Sequence, residues 1–502
     1  MVASARSGPC LAIDGLGSIR GRFEDGLMVF RGVPYAATPY GTQRFAAPQA
    51  RGPWDGELQA LQFGPASPQA PRRAGEAFFG GDDCLTLNVW APSDPPQGAG
   101  WPVMIWIPGG AFMRGYAGDP VYDGAAFARH GIVFVSLNYR VGIDGFMHLP
   151  GTPANRGLLD QVCALRWVQK HIHRFGGDPR RVTIAGGSAG AGSVACLIGM
   201  PDTKGLFGRA ILQSPSTSTQ TIEEAELASR AIARLLGVAP TVEAMKTVPI
   251  ERCIAAVNRL AGDPALRQTL GMSARQYFPL RPVVDAEVLT HAPIDALSGR
   301  QGGSDLAKVD ILVGSNLEEM RLYLLPNGTL DQAEGDLPRR FADAVGWSSR
   351  LELHYQRKYA NCRPGELLCA MQSDYFYREP ARLIAHHAAE AGCDAYLYEF
   401  EWQSCLHGGR LGAAHGLEIP FVFDQIDTPA GREITGPGAP LSLAAAMHTA
   451  WVRFVVDGLP GWPTNNGEGR TMMRFAEQSA LGMDDYRLPP RAMSQARVGS
   501  GS

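Results

Sequence analysis

The segment Ile184-Ala185-Gly186-Gly187-Ser188-Ala189-Gly190 constrains this chain more than any other. A β-rich run over 181–185 enters a G-x-S-x-G pattern, and a helix-compatible stretch over 191–200 leaves it. A strand–turn–helix of this kind exposes the serine hydroxyl on a tight turn, with the N–H groups and dipole of a helix start beside it. Glycines flank the turn because a Cβ there would meet the neighbouring strand or helix. Attack by a hydroxyl creates negative charge that such a helix start can hold, so Ser188 is the candidate nucleophile. Gly is abundant, at 60 of 502 residues, so the bare pattern arises easily by chance. Its position between a strand and a helix gives it weight.

The rest of the chain indicates the fold class. Apolar runs bounded by turn residues recur at 85–90, 103–107, 132–137, 210–213, 309–313 and 395–400. Several are apolar on both faces, as in the middle of a covered, mostly parallel sheet. Between them, 158–175 carries Leu159, Val162, Leu165, Trp167, Val168 and Ile172 as a wide helical stripe, ended by Gly176-Gly177-Asp178-Pro179. This alternation predicts an α/β fold with a large, mostly parallel central sheet covered by helices on both faces. No repeat or low-complexity linker divides the chain. Residues 1–498 therefore read as one domain with helical insertions around 220–300 and 330–390, and 499–502 as a linker remnant.

Charge and cysteine usage exclude several classes. The net charge is −3, from 46 basic and 49 acidic residues without a basic stripe, so nucleic acid is not an expected partner. No apolar stretch reaches the roughly 18 residues of a membrane span, so no membrane partner is expected either. The first residues lack a basic segment followed by an apolar one, so no secretory signal is read. Nine cysteines, an odd count without regular or zinc-ligand spacing, fit free thiols in the cytoplasm better than a disulfide framework. The expected partner is a small molecule, with no metal or cofactor, and the chain is expected to be a monomer or weak oligomer.

Other segments supply candidate helpers for Ser188. The run 103–107 leads into Pro108-Gly109-Gly110-Ala111-Phe112, a Gly-rich turn. Its N–H groups, with the one after Ser188, can hold an oxyanion, and small residues let the backbone approach the substrate. The run 309–313 leads into Gly314-Ser315-Asn316-Leu317-Glu318-Glu319, where Glu318 and Glu319 compete to be the acid. Spacing does not choose among the eleven histidines. His415, on a Gly-bounded loop before an apolar run, is a sensible base. His171 and His173 read as surface residues, and the His386-His387 pair as solvated or helix-capping.

Further motifs carry a resemblance. They are Phe30-Arg31-Gly32-Val33-Pro34-Tyr35-Ala36, Arg44-Phe45, Asp83-Cys84-Leu85-Thr86-Leu87-Asn88-Val89 and Asn138-Tyr139-Arg140. Asn155-Arg156-Gly157-Leu158-Leu159-Asp160-Gln161 and Phe175-Gly176-Gly177-Asp178-Pro179 follow, then the Ser188 turn. With these, over about 12–476, the chain resembles the type-B carboxylesterase family, which includes the cholinesterases, fungal lipases and bacterial p-nitrobenzyl-type esterases. The resemblance implies an α/β-hydrolase fold and hydrolysis of carboxylic esters through an acyl-enzyme. It implies Ser188 as nucleophile, Glu319 as acid and His415 as base, with an oxyanion hole made by the N–H groups of Gly110, Ala111 and Ala189. Hydrolysis of amides, carbamates or a specific xenobiotic ester by the same triad is the alternative. A non-catalytic binding module is the remote one, since such relatives lack the serine.

Phe112, Ser214 and Phe79 are expected to contact substrate, and 214–218 and 260–280 to line its pockets. The departures from the family pattern are informative. Gly187 replaces a common Glu beside the nucleophile, and 68–83 contains no Trp. Both argue against choline esters. Ala111 replaces the third Gly of the oxyanion turn, and Pro108 a His or Tyr. Ser67 stands where the disulfide partner of Cys84 would be, which predicts an untethered loop over 66–82.

Overall fold

A computed structural model of the chain describes residues 8–71, 79–96, 98–272, 278–298, 308–465 and 470–484. The tail read as a linker, 499–502, lies outside them. The first strands are β1 (Cys10–Ile13), β2 (Gly17–Arg20), β3 (Arg22–Glu24), β4 (Leu27–Pro34) and β5 (Glu57–Gln59). Then come β6 (Thr86–Pro92), β7 (Trp101–Ile107), β8 (Val133–Leu137), β9 (Gly177–Gly187) and β10 (Arg209–Gln213). The last are β11 (Asp310–Asn316), β12 (Ala395–Phe400), β13 (Thr471–Phe475) and β14 (Ala480–Met483).

Among the described residues, eleven strands form one sheet in the order β14-β13-β12-β11-β10-β9-β7-β8-β6-β4-β3, and β1, β2 and β5 form a small second sheet. The pairs from β13 through β8 run parallel, and the outer pairs run antiparallel. The expected α/β-hydrolase architecture is therefore present, with a parallel centre and antiparallel margins.

The period-2 geometry of a strand explains why the central runs are apolar throughout. In β7, Val103, Ile105 and Ile107 enter one core with Leu165, Val168, Val194 and Leu197 of two covering helices. Met104 and Trp106 enter the opposite core with Trp451 and Phe454 of helix Leu441–Asp457. Among the described residues, further helices lie between 222 and 297 and between 321 and 390. Those of 321–377 pack around a separate apolar cluster that includes Met320, Phe341, Tyr355 and Tyr377.

One buried ion pair and a set of buried hydrogen bonds account for the motif over 155–161. Arg140 donates to both carboxylate oxygens of Asp160, at 2.9 and 2.7 Å, and both side chains are almost fully buried. Arg156 donates to the carbonyls of Ile143, Asp144, Met147 and Pro153. Gln161 donates to Ser193 Oγ at 3.1 Å on helix Ala189–Gly199, directly behind the nucleophile turn. A buried charge tolerates no loss of partner, so these residues lock the segments beneath the site.

Four expectations are corrected. The stripe over 158–175 is helix Arg156–His171 followed by the 3₁₀ turn Ile172–Phe175. His171 closes that helix one turn after Trp167 and packs on it at 5.2 Å. It is buried, not a surface residue, and burial pulls its pKa down to about 4, while His173 is exposed as expected. His387 is likewise buried, its Nδ1 3.0 Å from Glu390, while His386 is exposed. Helix Glu379–Glu390 packs on β11 and β12, and that contact decides which histidine is covered. The loop beyond Ser67 is also not untethered at its base. The Gln69 amide exchanges two hydrogen bonds with the Gly115 backbone, both 2.9 Å, and Gln69 pairs with Phe79. Residues 72–78 lie outside the described residues. All nine cysteines are free, and no helix among the described residues is long and apolar enough to cross a membrane.

Candidate active site

β9 delivers Ser188 at the top of the sheet, and helix Ala189–Gly199 begins immediately after it. Ser188 has φ 58° and ψ −122°, a region that costs a non-glycine residue about 1–3 kcal/mol. The surroundings hold it there. The Ser188 N–H donates to Gln213 O at 2.8 Å, and the Gly192 N–H to Ser188 O at 2.8 Å. A Cβ on Gly190 would lie 2.0 Å from Ile107 O, so a side chain there would push the turn off β7. Gly187 differs: its Cβ would come no closer than 3.2 Å, to Ile419 Cδ1.

Two further strands deliver the other candidates. β11 ends at Asn316, and the turn after it carries Glu318 and Glu319. The loop after β12 carries His415. His415 Nε2 lies 2.7 Å from Ser188 Oγ. On the other side of the ring, the Nδ1–H of His415 donates to Glu319 Oε2 at 2.5 Å. Glu319 is fully buried and also accepts the Asn316 N–H at 2.7 Å. With Nδ1 committed to a carboxylate, the Nε2 lone pair faces the serine hydroxyl, as a general base requires.

Adjacent Glu318 points elsewhere. It accepts from Arg321 Nε at 2.7 Å and from the Ala413 N–H at 3.0 Å, clamping the His415 loop to the acid turn.

A second buried carboxylate lies in the site. Glu418, three residues after His415, accepts from Asn316 Nδ2 at 2.6 Å and Gln213 Nε2 at 3.1 Å. Trp451 Nε1 in turn donates to Gln213 at 3.0 Å. Burial and the charge of Glu319 push Glu418 above its ordinary value. For His415, burial of the ring pulls the pKa down. The charge and hydrogen bond of Glu319, with the charge of Glu418, outweigh it, and the ring titrates above its ordinary 6.5. Tyr377 covers the imidazole at 4.4 Å and Tyr323 stands at 5.8 Å, so the ring of His415 lies against an aromatic wall. Sequence reasoning did not reach Asn316, Gln213, Trp451, Tyr377 or Glu418 as site residues. Only the three-residue spacing of Glu418 from His415 gave a local hint.

The Gly-rich turn over 108–112 follows β7. Gly110 has φ 128°, and its Cβ would meet Arg114 O at 2.2 Å, so glycine is required there. Ala111 and Phe112 also have positive φ, 57° and 58°, which turns successive N–H groups to one side. The N–H groups of Gly110, Ala111 and Ala189 form no hydrogen bond to other described residues.

Of the residues expected to contact substrate, Phe112 and Ser214 are buried and Phe79 is exposed. Phe112 is 2% exposed and packs on Phe146 at 4.8 Å, so it anchors the turn from below. Ser214 is 1% exposed and sits where β10 meets β11, its N–H donating to Gly314 O. Phe79 is exposed and stands edge-on to Tyr116 at 5.2 Å. Among the described residues, His386, His387 and Glu390 bring three metal-ligating atoms within 4.8 Å of one another, on a helix that carries none of the site residues.

The Carboxylesterase family model matches residues 8–483. A phenmedipham hydrolase of Pseudarthrobacter oxydans is 33% identical, over 94% of this chain and 96% of that protein. A para-nitrobenzyl esterase of Bacillus subtilis (strain 168) is 32% identical, over 90% of this chain and 92% of that protein. The crystal structure of a Geobacillus stearothermophilus carboxylesterase superimposes with a TM-score of 0.82 and 32% identity, covering 95% of this chain and 98% of that one.

Proposed function

Because the chain belongs to the carboxylesterase family, we propose that its Ser188, His415 and Glu319 act as the catalytic triad of a serine ester hydrolase on a small-molecule carboxylic ester. The chain is a carboxylic-ester hydrolase. The triad reading is carried by one observation, the continuous relay from Ser188 Oγ through His415 to a fully buried Glu319, at 2.7 and 2.5 Å.

In this reading His415 Nε2 takes the Ser188 proton as Oγ attacks the ester carbonyl carbon. The tetrahedral oxyanion settles against the N–H groups of Gly110, Ala111 and Ala189, each worth about 3 kcal/mol of barrier. Imidazolium then protonates the departing alkoxide, and the acyl group stays on Ser188. Water repeats the cycle and releases the acid. Glu319 keeps Nδ1 protonated and balances the imidazolium charge. Gly187 leaves no carboxylate next to the nucleophile, which supports neutral or anionic esters over choline esters. Amides and carbamates fit the same relay. Free thiols throughout support a reducing, cytoplasmic setting.

A fluorophosphonate probe is expected to label Ser188 at one equivalent per chain and abolish ester hydrolysis in step, as read by peptide mass spectrometry. Labelling elsewhere with activity retained would overturn the assignment. The pH profile follows from the base. Only neutral imidazole accepts a proton, so kcat/KM rises with pH through the raised His415 pKa. Glu418→Gln removes one of the charges that raise it, so the acidic limb moves to lower pH. A limb that stays put or moves upward counts against a role for Glu418.

A further inference from the structure

The segment that carries His415 is a hairpin with two anchors. Ser404 and Gly412 pair as its antiparallel stem, the Ser404 N–H donating to Gly412 O at 3.1 Å. Its tip turns through positive φ at His407, Gly408 and Gly409. Arg410 follows the tip and stands five residues before His415.

The stem rests on the turn after β11. The Glu318 N–H donates to Ala413 O at 3.0 Å. A Cβ on Gly412 would lie 2.1 Å from Glu318 Oε2, so glycine lets the two segments close up. The tip rests instead on the helices over 321–377. Arg410 Nη2 lies 2.5 and 2.6 Å from the two carboxylate oxygens of Asp331, on helix Thr329–Gln332. The Arg410 carbonyl accepts from Arg321 Nη1 at 2.9 Å.

Asp331 is shared between two guanidiniums. Its Oδ1 also accepts from Arg363 Nη1 at 2.7 Å. Arg363 stands at the start of helix Pro364–Ser373, which continues into the π-helical turn Asp374–Arg378. That turn holds Tyr377 over the imidazole. One carboxylate thus ties the hairpin bearing His415 to the helix bearing the ring that covers it. Its seat is firm. A Cβ on Gly365 would lie 2.3 Å from Leu330 O, so the two helices meet through their backbones, and Leu330 is buried in the apolar cluster beneath.

A single exposed ion pair holds little, but a carboxylate shared within a network keeps its geometry better. The hydrogen bond from Arg410, with that from Arg363, holds the Asp331 carboxyl below its ordinary value, so it stays ionised wherever the base works.

Resting on the ester-hydrolase reading above, we infer that Asp331 is a positioning residue for the base: its pairs with Arg410 and Arg363 hold the His415 hairpin in register with the helices over 321–377. A small displacement of the base slows proton transfer and leaves ester binding as it was.

The test is kcat and KM for p-nitrophenyl butyrate, expressed per site titrated to completion with a fluorophosphonate, so that unfolded protein does not count. Asp331→Asn is expected to lower kcat about 3- to 10-fold with KM within about twofold. Asp331→Glu keeps the charge and is expected to recover most of that loss. Arg410→Ala is expected to match Asp331→Asn, and the double variant to be no slower than either, because both remove the same contact. Burial lowers the His415 pKa, while the charge and hydrogen bond of Glu319, with the charge of Glu418, raise it. A looser hairpin lengthens the Nδ1 contact with Glu319, so the acidic limb of kcat/KM is expected to move to lower pH in Asp331→Asn.

If Asp331→Asn leaves kcat within about twofold of the wild type and the limb in place, Asp331 does not position the base, and the ester-hydrolase reading stands. A rise in KM at unchanged kcat, or losses that multiply in the double variant, would overturn the inference in the same way. If the wild type hydrolyses no ester, both fall.

Discussion

Ser188→Ala is expected to lower kcat for p-nitrophenyl esters by roughly 10⁶-fold, because without Oγ no acyl-enzyme forms. His415→Ala should cost about as much, since at neutral pH the Ser188 hydroxyl is a weak nucleophile without a base 2.7 Å away. The double variant should be no slower than either single one. Groups that act as one unit lose their joint contribution once, and what remains comes from binding and the oxyanion donors. The measurement is steady-state hydrolysis with protein purified free of host esterases and a fluorophosphonate titration of the residual activity. A Ser188→Ala rate within tenfold of wild type, or losses that multiply in the double variant, would show that the relay is not the working unit.

The second large effect separates two neighbours. Glu319→Gln is expected to cost about 10⁴-fold in kcat. A glutamine amide turned towards Nδ1 favours the tautomer with the proton on Nε2, and that proton blocks the serine. Glu318→Gln should stay within about tenfold, because Glu318 touches the Ala413 N–H and Arg321 and not the imidazole. Its partly exposed ion pair is worth only about 1 kcal/mol of stability. A larger loss at Glu318 than at Glu319 would reverse the assignment of the acid.

Legibility in the sequence followed distance along the chain. The nucleophile turn was readable because strand, glycines, serine and helix are contiguous, and the clash that forbids a Cβ on Gly190 is built into that turn. The Gly-rich turn after β7 was readable for the same reason, since positive φ at Gly110 and Ala111 is local. The central strands were readable because a run covered on both faces must be apolar at every position. Their ends shifted by a few residues, since pairing with neighbours sets where a strand stops. β9, for instance, extends to Gly177–Gly187, where the run suggested 181–185.

Burial of individual side chains was less readable. Phe112 beside the oxyanion turn is apolar, which fits a substrate contact and a core anchor equally well. Only its packing on Phe146 decides for the core. His171 and His387 are polar, and each went under through packing, His171 against Trp167 and His387 on a helix that lies on β11 and β12.

The sequence by itself determined the local backbone of the two turns, the apolar character of the sheet and, through its motifs, the family. Tertiary structure decided which groups meet. Side-chain chemistry alone left Glu318 and Glu319 level, and the family resemblance chose between them. The fold supplies the reason: consecutive residues on the turn after β11 project in different directions, and although the His415 loop touches both, the imidazole itself meets only Glu319. It also decided that Glu418, Asn316, Gln213 and Trp451 form a single buried network behind the base. Their hydrogen bonds span 102 to 238 residues of sequence, and no local propensity encodes such contacts. They exist because buried polar groups must find partners, and only the closed sheet brings those partners within reach.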